Sequence, residues 1–122
     1  MQTLDKINVA EKLELITKPW SPGIMGQVND MHVKAVKIEG EFIWHTHEKE
    51  DEMFWVMDGE LIMHFREKAV TVRPGEFIVV PRGLEHKPEA PVLTSIVLFE
   101  PATTVNTGDG PEEERTHTPE WI

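Results

Sequence analysis

The sequence predicts an all-β domain, a sandwich or barrel preceded by one short helix. Three observations carry this. Between residues 31 and 100, short apolar runs alternate with turn-forming pairs at regular spacing, the pattern of antiparallel sheets. At 122 residues and 14.0 kDa the chain has the size of one domain. Folding a chain of this size buries roughly two-thirds of its surface, enough for one core. A composition of 39% hydrophobic and 28% charged residues is that of a globular chain.

The elements follow in order. Residues 8–18 read as a helix: Val9, Leu13 and Ile16 fall on one face, Asn8 with Glu11 resembles a capping box, and Pro19 ends the pattern. Residues 19–30 read as a loop rich in turn formers. Strands are predicted at 31–39, 41–47, 52–57, 60–66, 69–72, 76–80 and 92–100, with turns at Glu39-Gly40, Asp58-Gly59, Glu67-Lys68, Pro74-Gly75 and Pro81-Arg82-Gly83. Asp58-Gly59 between two apolar runs is a strong hairpin signal, since both residues accept positive φ. Residues 101–122 are polar and read as a tail tied down by Trp121 and Ile122. The expected organisation is therefore a helix and loop over 1–30 packing on a β-domain of 31–100, then a tail of 101–122.

Composition excludes several classes. There is no cysteine, so no disulfide framework, thiolate metal site or Cys nucleophile. This fits a cytoplasmic location, as does the first stretch, MQTLDKINVAEK, which has no signal-peptide pattern. No apolar run reaches the ~18 residues of a membrane span. The net charge of −10 argues against nucleic acid and against anionic membrane surfaces as partners. Acidic residues cluster at 48–52 (EKEDE) and 112–114, whereas Arg66, Lys68, Arg73, Arg82 and Lys87 lie between. Such runs usually keep loops solvated; the first, beside two histidines, can also concentrate cations there.

Those histidines carry the chemistry. His45 and His47 are two apart on a predicted strand, so their imidazoles face the same way, with Ile43 beside them and Phe42, Trp44 and Thr46 on the other face. Five residues on, Glu52 opens the next strand and shares a face with Phe54 and Val56; Met53, Trp55 and Met57 take the opposite face. If the Glu52 face is interior, two imidazoles and one carboxylate meet, a donor set suited to Mn, Fe, Co, Ni or Zn. The stretch GEFIVVPRGLEH, from Gly75 to His86, is a turn, a strand, a Pro-x-Gly turn and a further histidine, which joins the set if the strand returns to the same end. His32, His64 and His117 match no pattern and read as surface residues.

These spacings resemble the two motifs of the cupin superfamily. Gly40, His45, His47, Glu52 and Gly59 match the first, including six residues between Glu52 and Gly59. Gly75, Pro81, Gly83 and His86 match the second. Two positions depart: four residues rather than five separate Gly40 from His45, and Ala90 stands at the family's terminal Asn. The resemblance implies a small antiparallel jelly-roll β-barrel. It implies one divalent transition metal (Mn, Fe, Ni, Co or Zn) held by His45, His47, Glu52 and His86. It is strongest to short one-domain cupins described as mannose-6-phosphate isomerase-like, a label of ancestry and not of reaction.

Two functions are weighed. One is a metal-dependent enzyme acting on a small molecule by isomerase, dioxygenase or decarboxylase chemistry. The other is a non-catalytic barrel that binds or senses a small molecule. A storage barrel without metal sits poorly with a complete donor set. Ile43, Phe54, Val56, Met63 and Val79 are the expected apolar pocket lining, with Arg82 a candidate partner for an anionic group. The large side chains Phe42, Trp44, Met53, Trp55 and Met57 on the outer face require cover from the helix, a second layer or a second subunit, so a homodimer is expected.

Overall fold

The computed structural model describes residues 3–122, so the first two residues of the 1–30 segment lie outside it. Helix α1 spans Val9–Glu14, shorter than expected. The Asn8 side chain accepts from the Glu11 backbone N–H at 3.0 Å, the first half of a capping box. Eight strands follow: β1 Gly23–Val28, β2 Met31–Glu41, β3 Glu52–Asp58, β4 Leu61–His64, β5 Ala69–Val72, β6 Phe77–Val80, β7 Lys87–Pro101 and β8 Glu120–Trp121. Among the described residues no helix is long and apolar enough to cross a membrane.

The strands form one sheet that is not closed, in the order β5-β4-β7-β2-β1-β8, with β3 paired to β7 and β6. The 15-residue β7 is its spine. Along one edge it pairs antiparallel with β2, from Met31 opposite Pro101 to Glu41 opposite Glu89. Along the other it meets β3 between Ser95 and Phe99, and β4 between Lys87 and Glu89.

This pairing corrects the Asp58-Gly59 hairpin. β3 and β4 do not pair with each other; both run along the same edge of β7, and residues 58–60 form a corner between them. Gly59 is still required, at φ +94, because a Cβ there would lie 2.8 Å from the Thr94 Cα. The Thr94 hydroxyl accepts from the Glu60 N–H at 3.0 Å and so fixes the corner. Sequence adjacency pointed to a hairpin because a positive-φ Gly serves a corner as well as a turn. The expected loop of 19–30 is corrected too. It contains β1, which pairs with β2 and carries buried Ile24 and Met25.

Alternation along the strands divides the apolar residues into two sets. Val36, Ile38, Phe54, Val56, Leu61, Met63, Val72, Val80, Ile96 and Leu98 form the inner core. Leu13 and Ile16, from the helix segment, cover Met25, Ala35 and Val97 on the other face, with Met57 and Ile122 packed beside them. The tail is anchored as expected. β8 pairs with β1, the Ile122 N–H donates to Ile24 O at 3.0 Å, and Lys12 Nζ donates to Ile122 O at 2.7 Å.

Candidate metal centre

After Glu41 the chain leaves the ladder, and within residues 42–51 an isolated bridge sets His45 opposite His86. Each of these residues donates its backbone N–H to the other's carbonyl at 3.0 Å, which sets the two imidazoles side by side. Phe42 N–H binds Pro88 O at 2.9 Å, and Gly83 N–H binds His47 O at 2.8 Å. The tail closes the other flank. Asp109 N–H donates to Thr46 O at 2.9 Å, and Asp109 Oδ2 accepts from the Glu48 N–H at 2.7 Å. Glu52 enters as the first residue of β3, opposite Val80.

The four donors are buried: His45 8% exposed, His47 2%, Glu52 4% and His86 1%. Their ligand atoms all lie within 4.8 Å of one another. His45 Nδ1 is 2.8 Å from Ile43 O, and His86 Nδ1 is 2.9 Å from Leu84 O. A carbonyl only accepts, so these contacts assign the proton to Nδ1 and turn a bare Nε2 inward on both rings. His47 differs: its Nδ1 stands 3.8 Å from Glu50 Oε1, beyond hydrogen-bonding distance, and is buried without a partner.

Glu52 Oε1 is 3.0 Å from His47 Nε2 and 3.2 Å from His86 Nε2. Yet all three atoms are buried without an aligned hydrogen bond. Donors held about 2.0–2.2 Å from one ion lie roughly 3–3.5 Å apart by simple geometry, so the spacing fits a shared transition-metal ion. Buried polar atoms left without partners are otherwise costly.

Charge at the site is set by burial and by Glu52. Burial, and then neighbouring His86, lower the His45 pKa to about 4, which leaves a neutral imidazole ready to ligate. Burial pulls His47 down as well, but the Glu52 carboxylate outweighs it and raises the His47 pKa above its ordinary value. Burial alone would raise Glu52; His47, His86 and Glu100 outweigh it and hold Glu52 well below the usual carboxylate range.

A family model described as the Cupin domain matches residues 32–99 of this chain, across both histidine motifs. The chain belongs to the cupin family. Its fold agrees with solved cupins. A cupin-2 domain containing protein from Shewanella frigidimarina superposes with TM-score 0.77 and 44% identity, covering 78% of this chain and 93% of that one. The protein NMB1881 from Neisseria meningitidis gives 0.74 and 31%, covering 80% and 99%. The Bacillus subtilis protein YdbB is 34% identical over 71 residues, which span 57% of this cupin and 63% of YdbB.

Inside the cupin barrel, next to His45 and Glu52, lies a cavity of about 40 Å³. Val36, Ile38, Phe54, Ile96 and Leu98 line its apolar part. Trp20 and Phe42 line it too, stacked with centroids 4.7 Å apart. Trp20 sits at φ +63, an uncommon backbone for a bulky residue, held by its N–H on Lys37 O and its Nε1–H on Glu39 O.

Of the expected lining, Phe54 faces this cavity. Val56 and Met63 are fully buried in the inner core without lining it. Ile43 and Val79 are corrections. Residues 42–44 follow no strand, so the expected parity fails; Phe42 turns inward and Ile43 borders a surface cleft with Thr107 and Asp109. On β6 it is Val80 that is buried, while Val79 is 51% exposed. Arg82 is an exposed turn residue that forms an ion pair with Asp51 at 3.1 Å, tying the Pro81–Gly83 turn to the loop before Glu52. Trp44 lies under Arg66, 3.8 Å from its ring centre. His64 is half-buried and paired with Glu89 at 2.7 Å.

Sequence reading missed Lys34 and Glu100. They are 2% exposed each and paired at 3.1 Å, and Glu100 lines the cavity. Burial, and then the charge of Glu52, push the Glu100 carboxyl well above its ordinary value, against the pull of Lys34. The signal was available: positions 34, 36, 38 and 96, 98, 100 alternate on faces that are otherwise aliphatic. Nothing local to Trp20 marks it as cavity lining.

Proposed function

We propose that this cupin holds one divalent transition-metal ion at His45, His47, Glu52 and His86 and acts there on a small molecule. The observation that supports this most is that buried ring nitrogens of His47 and His86 and an oxygen of Glu52 have no hydrogen-bond partner, in a cluster with His45 whose ligand atoms lie within 4.8 Å of one another beside an apolar cavity. Such an ion would supply Lewis-acid polarisation of a carbonyl or activation of O₂, the chemistry of isomerases, decarboxylases and dioxygenases. The chain's own contribution is to hold the neutral imidazoles by their Nδ1 protons and to surround the site with Ile38, Phe54 and Leu98, which exclude water.

The substrate class we infer is a small, largely apolar compound with a chelating pair of oxygens. Among the described residues lining the cavity there is no lysine or arginine. That lining suits a neutral or weakly charged group better than a phosphate, which is recognised by cationic donors.

We also infer a cytoplasmic homodimer. Trp55 pairs with Phe77 and Met53 with Val79 across β3 and β6, and Trp55, Phe77 and Val79 are 41%, 59% and 51% exposed. This makes a clustered apolar face on an edge strand, unlike scattered surface residues.

Elemental analysis of the purified protein beside His45→Ala/His47→Ala tests the metal reading. The expected result is about one equivalent in wild type and little in the variant. Equal metal in both, or none in either after reloading, would sink it. Metal uptake with tight retention of a ligand but no turnover across diketones, sugar phosphates and catechols would favour the binding barrel over the enzyme.

A further inference from the structure

We propose that the stacked pair of Trp20 and Phe42 is the mouth of the cavity, with Trp20 its gate, and that the ligand it admits is a planar, unsaturated compound. The proposal rests on the reading above that a small molecule binds beside the donor cluster, and it narrows the class of that molecule.

The cavity is closed as it stands. A water molecule needs about 10–15 Å³ of such space, so about 40 Å³ has room for about three waters and not for a substrate. A substrate therefore enters only if a wall moves. Of the described residues that line the cavity, all are buried except Trp20 and Asn106, so these two separate it from solvent. Asn106 is fixed at both ends of its amide. Its Nδ2–H donates to Arg115 O at 2.8 Å, and its Oδ1 accepts from the His117 N–H at 2.9 Å. Trp20 is the wall that can move. Its backbone is held by its N–H on Lys37 O at 2.8 Å, whereas its side chain is tied on the exposed side by Nε1–H on Glu39 O at 3.0 Å. The indole can turn about its side-chain bonds while the chain stays in place. The backbone at φ +63 adds to the case. Bulky residues are rare there, and such strained conformations cluster at ligand clamps.

What lies behind the gate sets the ligand class. The Trp20 and Phe42 rings are stacked, with centroids 4.7 Å apart and planes 25° apart. Phe42 is 7% exposed, and its N–H is bound to Pro88 O at 2.9 Å, so it stays behind when the indole lifts. Its ring meets His45 edge-on at 5.5 Å between centroids, so a ligand lying on Phe42 stands beside the donor cluster. Lifting the indole leaves two aromatic faces uncovered. A flat conjugated ligand slides between them and restores a stack on each, which a saturated ring cannot do.

The test is fluorine NMR on metal-free full-length protein carrying 5-fluorotryptophan. It is titrated with toluene and, separately, with methylcyclohexane, a saturated ring of similar size. Trp20→Gly removes the indole, identifies its signal and accepts φ +63 without strain. In wild type, toluene is expected to shift the Trp20 signal. In Trp20→Gly, toluene should exchange faster, and the preference for toluene over methylcyclohexane should fall by about 2–10-fold. A Trp20 signal that toluene leaves in place, a shift confined to exposed Trp55, or an unchanged preference in Trp20→Gly would overturn the proposal. Should Trp20→Gly not fold, Trp20→Phe decides, since it keeps a ring on Phe42 and drops the bond to Glu39: faster toluene exchange supports the gate and unchanged exchange overturns it. No metal takes part in this measurement. A wild type that takes up no metal therefore sinks the metal reading and leaves the gate standing, and an unmoved Trp20 does the reverse.

Discussion

At the scale of single residues, the donors differ in how the fold treats their protons. His45 takes up a proton near pH 6.5 in an unfolded chain but only near 4 in the fold, where burial opposes the charge. Between those values the unfolded state binds more protons. This residue's contribution to stability is therefore intact above about 6.5, declines as the pH falls, and is lost by about 4. NMR titration of metal-free protein should give a His45 midpoint near 4; a midpoint at 6.5 would show an imidazole open to water. His47 runs the other way. Its raised pKa stabilises the fold at pH values below 6.5, and this stabilisation is lost as the pH rises through the folded value. A metal ion must displace that proton, so uptake should weaken on acidification.

At the scale of elements, two glycines decide whether the site is framed correctly. Gly59 turns the corner from β3 to β4 along one edge of β7. Gly59→Ala combines φ +94 with a clash against the Thr94 backbone, and should cost about 1–3 kcal/mol or more in thermal unfolding. Thr94→Ser should not rescue it, because the obstructing Cα remains. Gly108 lies where the tail crosses the loop carrying His45 and His47. A Cβ there would meet Thr46 O at 2.7 Å and His45 Cβ at 3.0 Å, at φ +84. Gly108→Ala should therefore push that loop and weaken metal uptake, while Gly110→Ala, with nothing within 4 Å, should leave it unchanged. Similar metal affinity in the two variants would show that the tail does not hold the loop. The segment doing this work, residues 101–122, follows the part of the chain that matches the family model.

At the scale of the whole molecule, one long strand organises everything else. β7 carries Ile96, Leu98 and Glu100 on the cavity side and Val97 beneath the helix, so both apolar sets meet on it. The outer face of β3 and β6 is left with Trp55, Phe77 and Val79 exposed. Light scattering on a sizing column should return about twice 14.0 kDa, and Phe77→Lys should return the monomer mass. A wild-type monomer would remove the dimer.

The sequence by itself determined the all-β class, the helix cap at Asn8, most of the strand positions and which four side chains, His45, His47, Glu52 and His86, gather in one buried cluster. Each of these rests on a short-range pattern: alternation of two, a capping spacing, or two histidines flanked by glycine turns. The partner of each strand is not such a pattern. Asp58-Gly59 carries a hairpin signal, yet β7 captures both flanking strands on one edge, where Phe54, Val56, Leu61 and Met63 join Ile96 and Leu98 in the inner core. The same limit explains Phe42 and Ile43. Parity holds only while a strand lasts, and the chain leaves the ladder at residue 42. Tertiary structure alone brought Trp20 and Glu100 to the cavity that Glu52 lines, since which distant residues share a cavity is set by how the sheet folds on itself.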